Sequence, residues 1–242
     1  GICIMIDIQH FSKQYKSVRA ISDIALRFNA GQSVALIGPN GSGKSTLMKC
    51  ILGLAKPTSG NIYVQQKNIS GSELYRTDIG YMPQIIRVPE HMLVSQLFFM
   101  MRDLRRHTND LDNELFEAYH IRDMFAKPLG GLSGGMKQKV NAALAFMFNP
   151  KILILDEPTA GLDPLSAELL KAKIRKEKSK GKLIIISSHI MADLEEIATD
   201  VLFLIEGRIA FYKTLEDLKR ETSSNNLGRS IASYMAEQKI SI

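Results

Sequence analysis

The stretch GPNGSGKST, Gly38 to Thr46, follows directly on the apolar run SVALI at 33–37. A strand, a glycine loop and a helix start in that order fit the phosphate-loop pattern G-x-x-x-x-G-K-[ST]. Gly38, Gly41 and Gly43 leave room for backbone N–H groups to point inward around a polyphosphate, with Asn40, Ser42 and Thr46 completing the cradle. The start of the following helix adds partial positive charge. In this pattern Lys44 reaches the β and γ phosphates and the Ser45 hydroxyl ligates Mg²⁺.

Around this loop lie 242 residues, 45% apolar and 23% charged, enough for one well-buried α/β domain. No apolar run approaches the roughly 18 residues needed to cross a bilayer. The opening ICIMIDI reads as an edge strand and lacks the regions of a secretory leader, so a cytoplasmic protein is expected. Cys3 and Cys50 stand in apolar surroundings far apart, which predicts buried thiols and neither a disulfide nor a metal pair. The net charge of +6 is compatible with an anionic partner. Its densest segment, KAKIRKEKSKGK at 171–182, has the spacing of a solvated helix face.

The pattern along the chain predicts strands at 5–11, 25–28 and 33–37, a helix at 45–54 closing near Gly53, and a strand at 61–64. From about 89 to 148 the character becomes helical, with Met, Phe and Leu at helical spacing. Buried strands are predicted again at 152–155, 183–187 and 201–205, alternating with helices as in a parallel sheet. Residues 215–220 look helical, and the polar ETSSNN then leads to a final weak helix. With no internal repeat, one nucleotide-binding unit is expected per chain.

Two further stretches carry chemistry. ILILDEP places Asp156 and Glu157 at the carboxyl end of a buried strand, where ligands gather in doubly wound sheets. Asp156 suits the Mg²⁺ shell, and Glu157 suits a general base for an attacking water. LSGGMKQ, 132–138, opens a helix with a serine and two glycines, Ser133, Gly134 and Gly135, a second anion cradle. One nucleotide needs one cradle, so the second is expected to serve a nucleotide held by another copy.

With these motifs in this order, the chain from about 5 to 218 resembles the ATP-binding subunit of ABC transporters, whose signature LSGGM matches. The resemblance implies a P-loop NTPase core with a mostly parallel sheet flanked by helices, spanning 1–84 and 149–214. An N-terminal antiparallel β part, an inserted helical lobe at 85–148 and a C-terminal helical tail at 215–242 complete it. It also implies that Tyr15 stacks on adenine and that Gln84, in GYMPQ, joins the sheet to the lobe and contacts Mg²⁺ or the water. By the same resemblance, Asp163, in AGLD, is expected to cross a dimer interface, and His189, in SSH, to hydrogen-bond the γ-phosphate. His10, His91, His107 and His120 match no motif. Lys139 stands where the family more often has arginine, which keeps the charge and loses a bidentate fork.

The implied working form is a head-to-tail homodimer with two ATP molecules at the interface, lying on the cytoplasmic face of the cell membrane. A separate transmembrane permease docks in a groove between core and lobe, near IIRVPEHMLVSQLFFMM at 85–101. The AGLDP turn and the tail EGRIAFYKTLEDLKRE resemble the exporter or ABC-2 branch, which serves multidrug export or copper-enzyme maturation. The alternative is a soluble ABC ATPase of an assembly or scaffold complex, as in iron–sulphur biogenesis. A nucleic-acid partner is not expected, because one ATP domain is present and no heptad insertion interrupts it.

Overall fold

The computed structural model describes residues 3–105 and 110–238; His107 lies outside them. The chain forms β1 (Ile4–Tyr15), β2 (Val18–Asn29), β3 (Ser33–Ile37), α1 (Lys44–Ile51), β4 (Ser59–Val64), β5 (Lys67–Asn68) and β6 (Ile79–Met82). Next come α2 (Val94–Leu104), α3 (Glu114–Ala118), α4 (Gly134–Met147), β7 (Ile152–Asp156), α5 (Pro164–Ser179) and β8 (Leu183–Ser187). The remainder is α6 (Met191–Ile197), β9 (Asp200–Ile205), β10 (Arg208–Thr214), α7 (Leu215–Glu221) and α8 (Leu227–Glu237).

Two sheets result. One is antiparallel, in the order β2-β1-β4-β5, and the other runs β10-β9-β3-β8-β7-β6, with parallel pairing everywhere except at its β10 edge. The central strands are apolar on both faces, as parallel strands between two layers must be. In β3, Val34 and Leu36 face the antiparallel sheet and α1, while Ala35 and Ile37 face the helices; Ile152 and Ile154 of β7 alternate in the same way with Leu153 and Leu155. The second of these two cores runs without a break from β7 and β8 into Phe98, Phe116 and Phe146 of α2, α3 and α4. Among the described residues no helix is long and apolar enough to cross a membrane.

Several local expectations are corrected. The strands expected at 5–11 and 25–28 extend into a single hairpin closing where Tyr15 pairs with Val18. Its register shifts between Ile8 and Lys13, and His10 and Asp23 have φ of 47° and 45°. Such bulges break the alternation by which a strand is read. Strands β6 and β10 were not expected at all. The helix α1 stops at Ile51, where Gly53 with φ 68° turns the chain away.

The basic segment is solvated only in part: Arg175, Lys176 and Lys180 reach solvent, but Lys171 and Lys173 do not. Lys173 has 1% side-chain exposure and donates to Glu114 at 2.7 Å, to Glu177 at 2.9 Å and to Asp112. Lys171 is buried against Glu168, Asp193 and Glu196. Cys3 is exposed, against expectation, whereas Cys50 is buried and its thiol is pushed up to about 11 by burial.

Candidate functional site

The carboxyl ends of β3, β7 and β8 open into a cleft of about 650 Å³. Asn40, Gly41, Gly43, Lys44, Ser45 and Thr46 line one wall; Gln84, Asp156, Glu157 and His189 line the other. Gly43, with φ 106°, could not carry a side chain, since a Cβ there would lie 2.7 Å from the Ala20 carbonyl oxygen. The hairpin therefore packs directly against the loop, and α1 begins with no side chain capping its N-terminus. Uncapped N–H groups at a helix start are an anion site.

Lys44 Nζ donates to the Gly38 and Pro39 carbonyl oxygens at 2.6 and 3.0 Å. Burial lowers its pKa from the ordinary lysine value, and the Glu157 and Asp156 carboxylates oppose that shift. Both carboxylates are thus close enough to feel the ammonium across the cleft. Gly38 and Ser42 do not line the cleft; they shape the loop, whose turn closes by Ser42 N–H donating to the Pro39 carbonyl at 3.1 Å.

Opposite the loop, Ser187 Oγ donates to Asp156 Oδ1. Glu157 is 8% exposed and lies in the left-handed region at φ 51°, where a non-glycine residue is held only by its surroundings. Its N–H donates to the Ser187 carbonyl at 2.9 Å, and His189 approaches its carboxylate through Nε2 at 3.3 Å. Ser45, Gln84 and Asp156 offer hard oxygen donors around one space, which suits Mg²⁺ shared with a bound phosphate.

The remaining site residues lie elsewhere. Tyr15 ends β1, 43% exposed, outside the cleft lining, with Lys13 Nζ 4.6 Å from its ring centroid. Ser133 caps α4 by accepting the Met136 N–H at 3.2 Å, and Ser133 and Gly134 are exposed, with Gly135 partly so. None of the three lines the cleft. Asp163 caps α5, accepting from Ser166 N–H at 2.9 Å and Oγ at 2.7 Å, and pairs with Lys139 Nζ at 2.9 Å. The Ser166 hydroxyl, then the Lys139 ammonium, then the Ser166 N–H hold its carboxyl far below the usual carboxylate range.

Sequence reasoning passed over Val18, Arg19, Ala20 and Glu206, which also line the cleft, and Ser187, which fixes Asp156. Only Ser187 carried a signal, as the first serine of SSH. It also passed over Gln138, whose side-chain amide donates to the Glu157 and Pro158 carbonyls at 2.9 and 3.1 Å.

The family model described as ABC transporter matches residues 21–160. An uncharacterized ABC transporter ATP-binding protein of Bacillus subtilis, YxlF, is 32% identical over 91% of this chain and 75% of its own length. The lantibiotic transport ATP-binding protein SrtF of Streptococcus pyogenes is 34% identical over 86% of this chain and 90% of its own. A solved ATP-binding subunit of an ABC transporter superposes with a TM-score of 0.83 at 28% identity, covering 94% of this chain and 98% of that one.

Proposed function

The chain belongs to the ABC transporter family, and from that premise we propose that it binds and hydrolyses ATP to power a separate membrane permease, through ATP-driven head-to-tail pairing of two copies. The observation that carries this reading is the spatial division of the motifs. Lys44, Ser45, Gln84, Asp156, Glu157 and His189 share one cleft, while the Ser133 cradle is exposed outside it.

In this reading the N–H groups from Gly41 to Thr46 and the α1 N-terminus take the phosphates, and Lys44 exchanges its loop carbonyls for phosphate oxygens. Ser45, Asp156 and Gln84 would hold Mg²⁺, which would supply positive charge to offset that developing on the phosphates. Glu157 accepts a proton from water as the water oxygen attacks the γ-phosphorus and the bond to the β–γ bridging oxygen breaks. His189 donates to the γ-phosphate. Ser133, Gly134, Gly135 and Asp163 of a second copy close the site, and Tyr15 supplies a stacking face for adenine.

An apolar groove of about 350 Å³ between core and lobe, lined by Leu52, Leu54, Tyr81, Leu97, Met100 and Met101, is the proposed seat of the permease. In this reading the chain works at the cytoplasmic face of the membrane, in a transporter of the export type. Affinity purification of the Glu157→Gln chain in Mg-ATP from a detergent extract tests this. Co-elution of a polytopic membrane protein is expected; a purely soluble set of partners would contradict it.

A further inference from the structure

Helix α4 is buried on nearly every face, and its buried positions are Val, Ala, Phe and Met apart from Gln138 and Asn141. These two are 6% and 3% exposed and lie three residues apart, on one side of the helix. A buried amide left unpaired keeps its full desolvation penalty, so a polar pair in such a helix needs partners. Gln138 donates to the carbonyls of Glu157 and Pro158, and Asn141 Nδ2 donates to the Pro83 carbonyl at 2.6 Å. The acceptors belong to the segments leaving β7 and β6, which are neighbours in the sheet. Both segments contain a proline and both carry a cleft residue, Glu157 in one and Gln84 in the other.

The helix comes this close because Gly80 of β6 has no side chain: a Cβ there would lie 2.1 Å from the Ala145 carbonyl oxygen. Glu157 meanwhile holds a φ of 51° that its own side chain disfavours. Its carbonyl is held by Gln138, its N–H by Ser187 and its carboxylate by His189.

We propose that Gln138 is a positioning residue for ATP hydrolysis, holding the backbone of Glu157 so that its carboxylate meets the attacking water, with Asn141 doing the same for the Gln84 segment. The inference rests on the ATPase reading above. Gln138 lies on the helix that Ser133 caps, so one element carries both the exposed cradle and the donor to Glu157.

Steady-state ATP hydrolysis by the full chain tests it. In Gln138→Met, of similar volume but without the donor, kcat falls about 10- to 100-fold, the cost of misplacing a catalytic group by about an ångström. KM and the affinity for a fluorescent ATP analogue stay unchanged. In Gln138→Glu, which keeps the shape, a carboxyl donates only when protonated, so its kcat relative to the parent rises as pH falls. The Glu variant carries the test if the Met variant does not fold. An undiminished kcat in Gln138→Met, a loss accompanied by equal loss of ATP affinity, or a pH-independent ratio for Gln138→Glu overturns the proposal. A parent chain that binds no ATP would instead overturn the ATPase reading itself.

Discussion

His189 Nε2 stands 3.3 Å from Glu157 Oε1, and the His189 backbone N–H donates to Oε2 of the same carboxylate at 3.3 Å. The segment that leaves β8 therefore contacts both oxygens of the carboxylate that follows β7. Glu157→Gln should lower turnover by about 100-fold or more while leaving ATP binding intact, as expected for loss of a general base. Adding His189→Ala should then lower turnover little further, because residues acting as a unit are non-additive. Full additivity of the two losses in steady-state assays would separate them.

Lys44 rests on two carbonyls of its own loop, which orients it without involving any other element. Lys44→Ala should thus leave the thermal unfolding of the nucleotide-free chain nearly unchanged. Its ATP affinity should fall about 10- to 100-fold, the worth of a hydrogen bond to a charged group. Equilibrium titration with a fluorescent ATP analogue reads this directly, and undiminished affinity would remove Lys44 from the phosphate site.

Much of this arrangement is legible in residue order, and the reasons for the exceptions are local. SVALI followed by GPNGSGKST, and ILIL followed by Asp156 and Glu157, announce buried strands ending in charged or glycine-rich loops, and β3 and β7 lie as read. Residues 12–24 hide their hairpin because its bulges disrupt the period of two. IGYM of β6 is only four residues long, and its Gly80 looks like a breaker until α4 is seen pressed against it. Lys171 and Lys173 read as solvated because a one-dimensional charge pattern cannot contain the carboxylates at 112 and 193 that bury them. Gln138 went unassigned because nothing in LSGGMKQ says that its amide meets a strand end 19 residues later.

The buried charges give a stability prediction with a definite sign. Burial alone would raise the pKa of Glu177, but Lys180, Lys182 and Lys173 hold it down to about 2, against an ordinary value of 4.5. Its folded pKa is the lower one, so its stabilising contribution is full above about pH 4.5 and drains away as pH falls toward 2. Glu177→Gln removes one of the three carboxylates around Lys173, which keeps Asp112 and Glu114, and should cost about 1.5–3 kcal/mol at neutral pH. Denaturant unfolding at a series of pH values checks both points: parent and variant should converge in acid, and a constant gap would refute the assignment.

Met100 is 40% exposed on the wall of the apolar groove that Leu52, Tyr81 and Leu97 also line. A charge there is costly only if an apolar partner covers it. Met100→Asp should leave ATP binding by the isolated chain unchanged and abolish co-purification with a membrane protein. Loss of ATP binding in this variant would assign the groove to folding and not to docking.

In the proposed pair each ATP is shared, with Lys44 of one copy facing Ser133 of the other. Lys44→Ala and Ser133→Arg chains should each be inactive alone. In a mixed pair, one site combines the intact Lys44 of the second variant with the intact Ser133 of the first. ATP hydrolysis measured after mixing the two inactive proteins should therefore reappear and saturate as their ratio approaches one. Two variants that stay inactive in every mixture, while each still folds, would contradict the shared site.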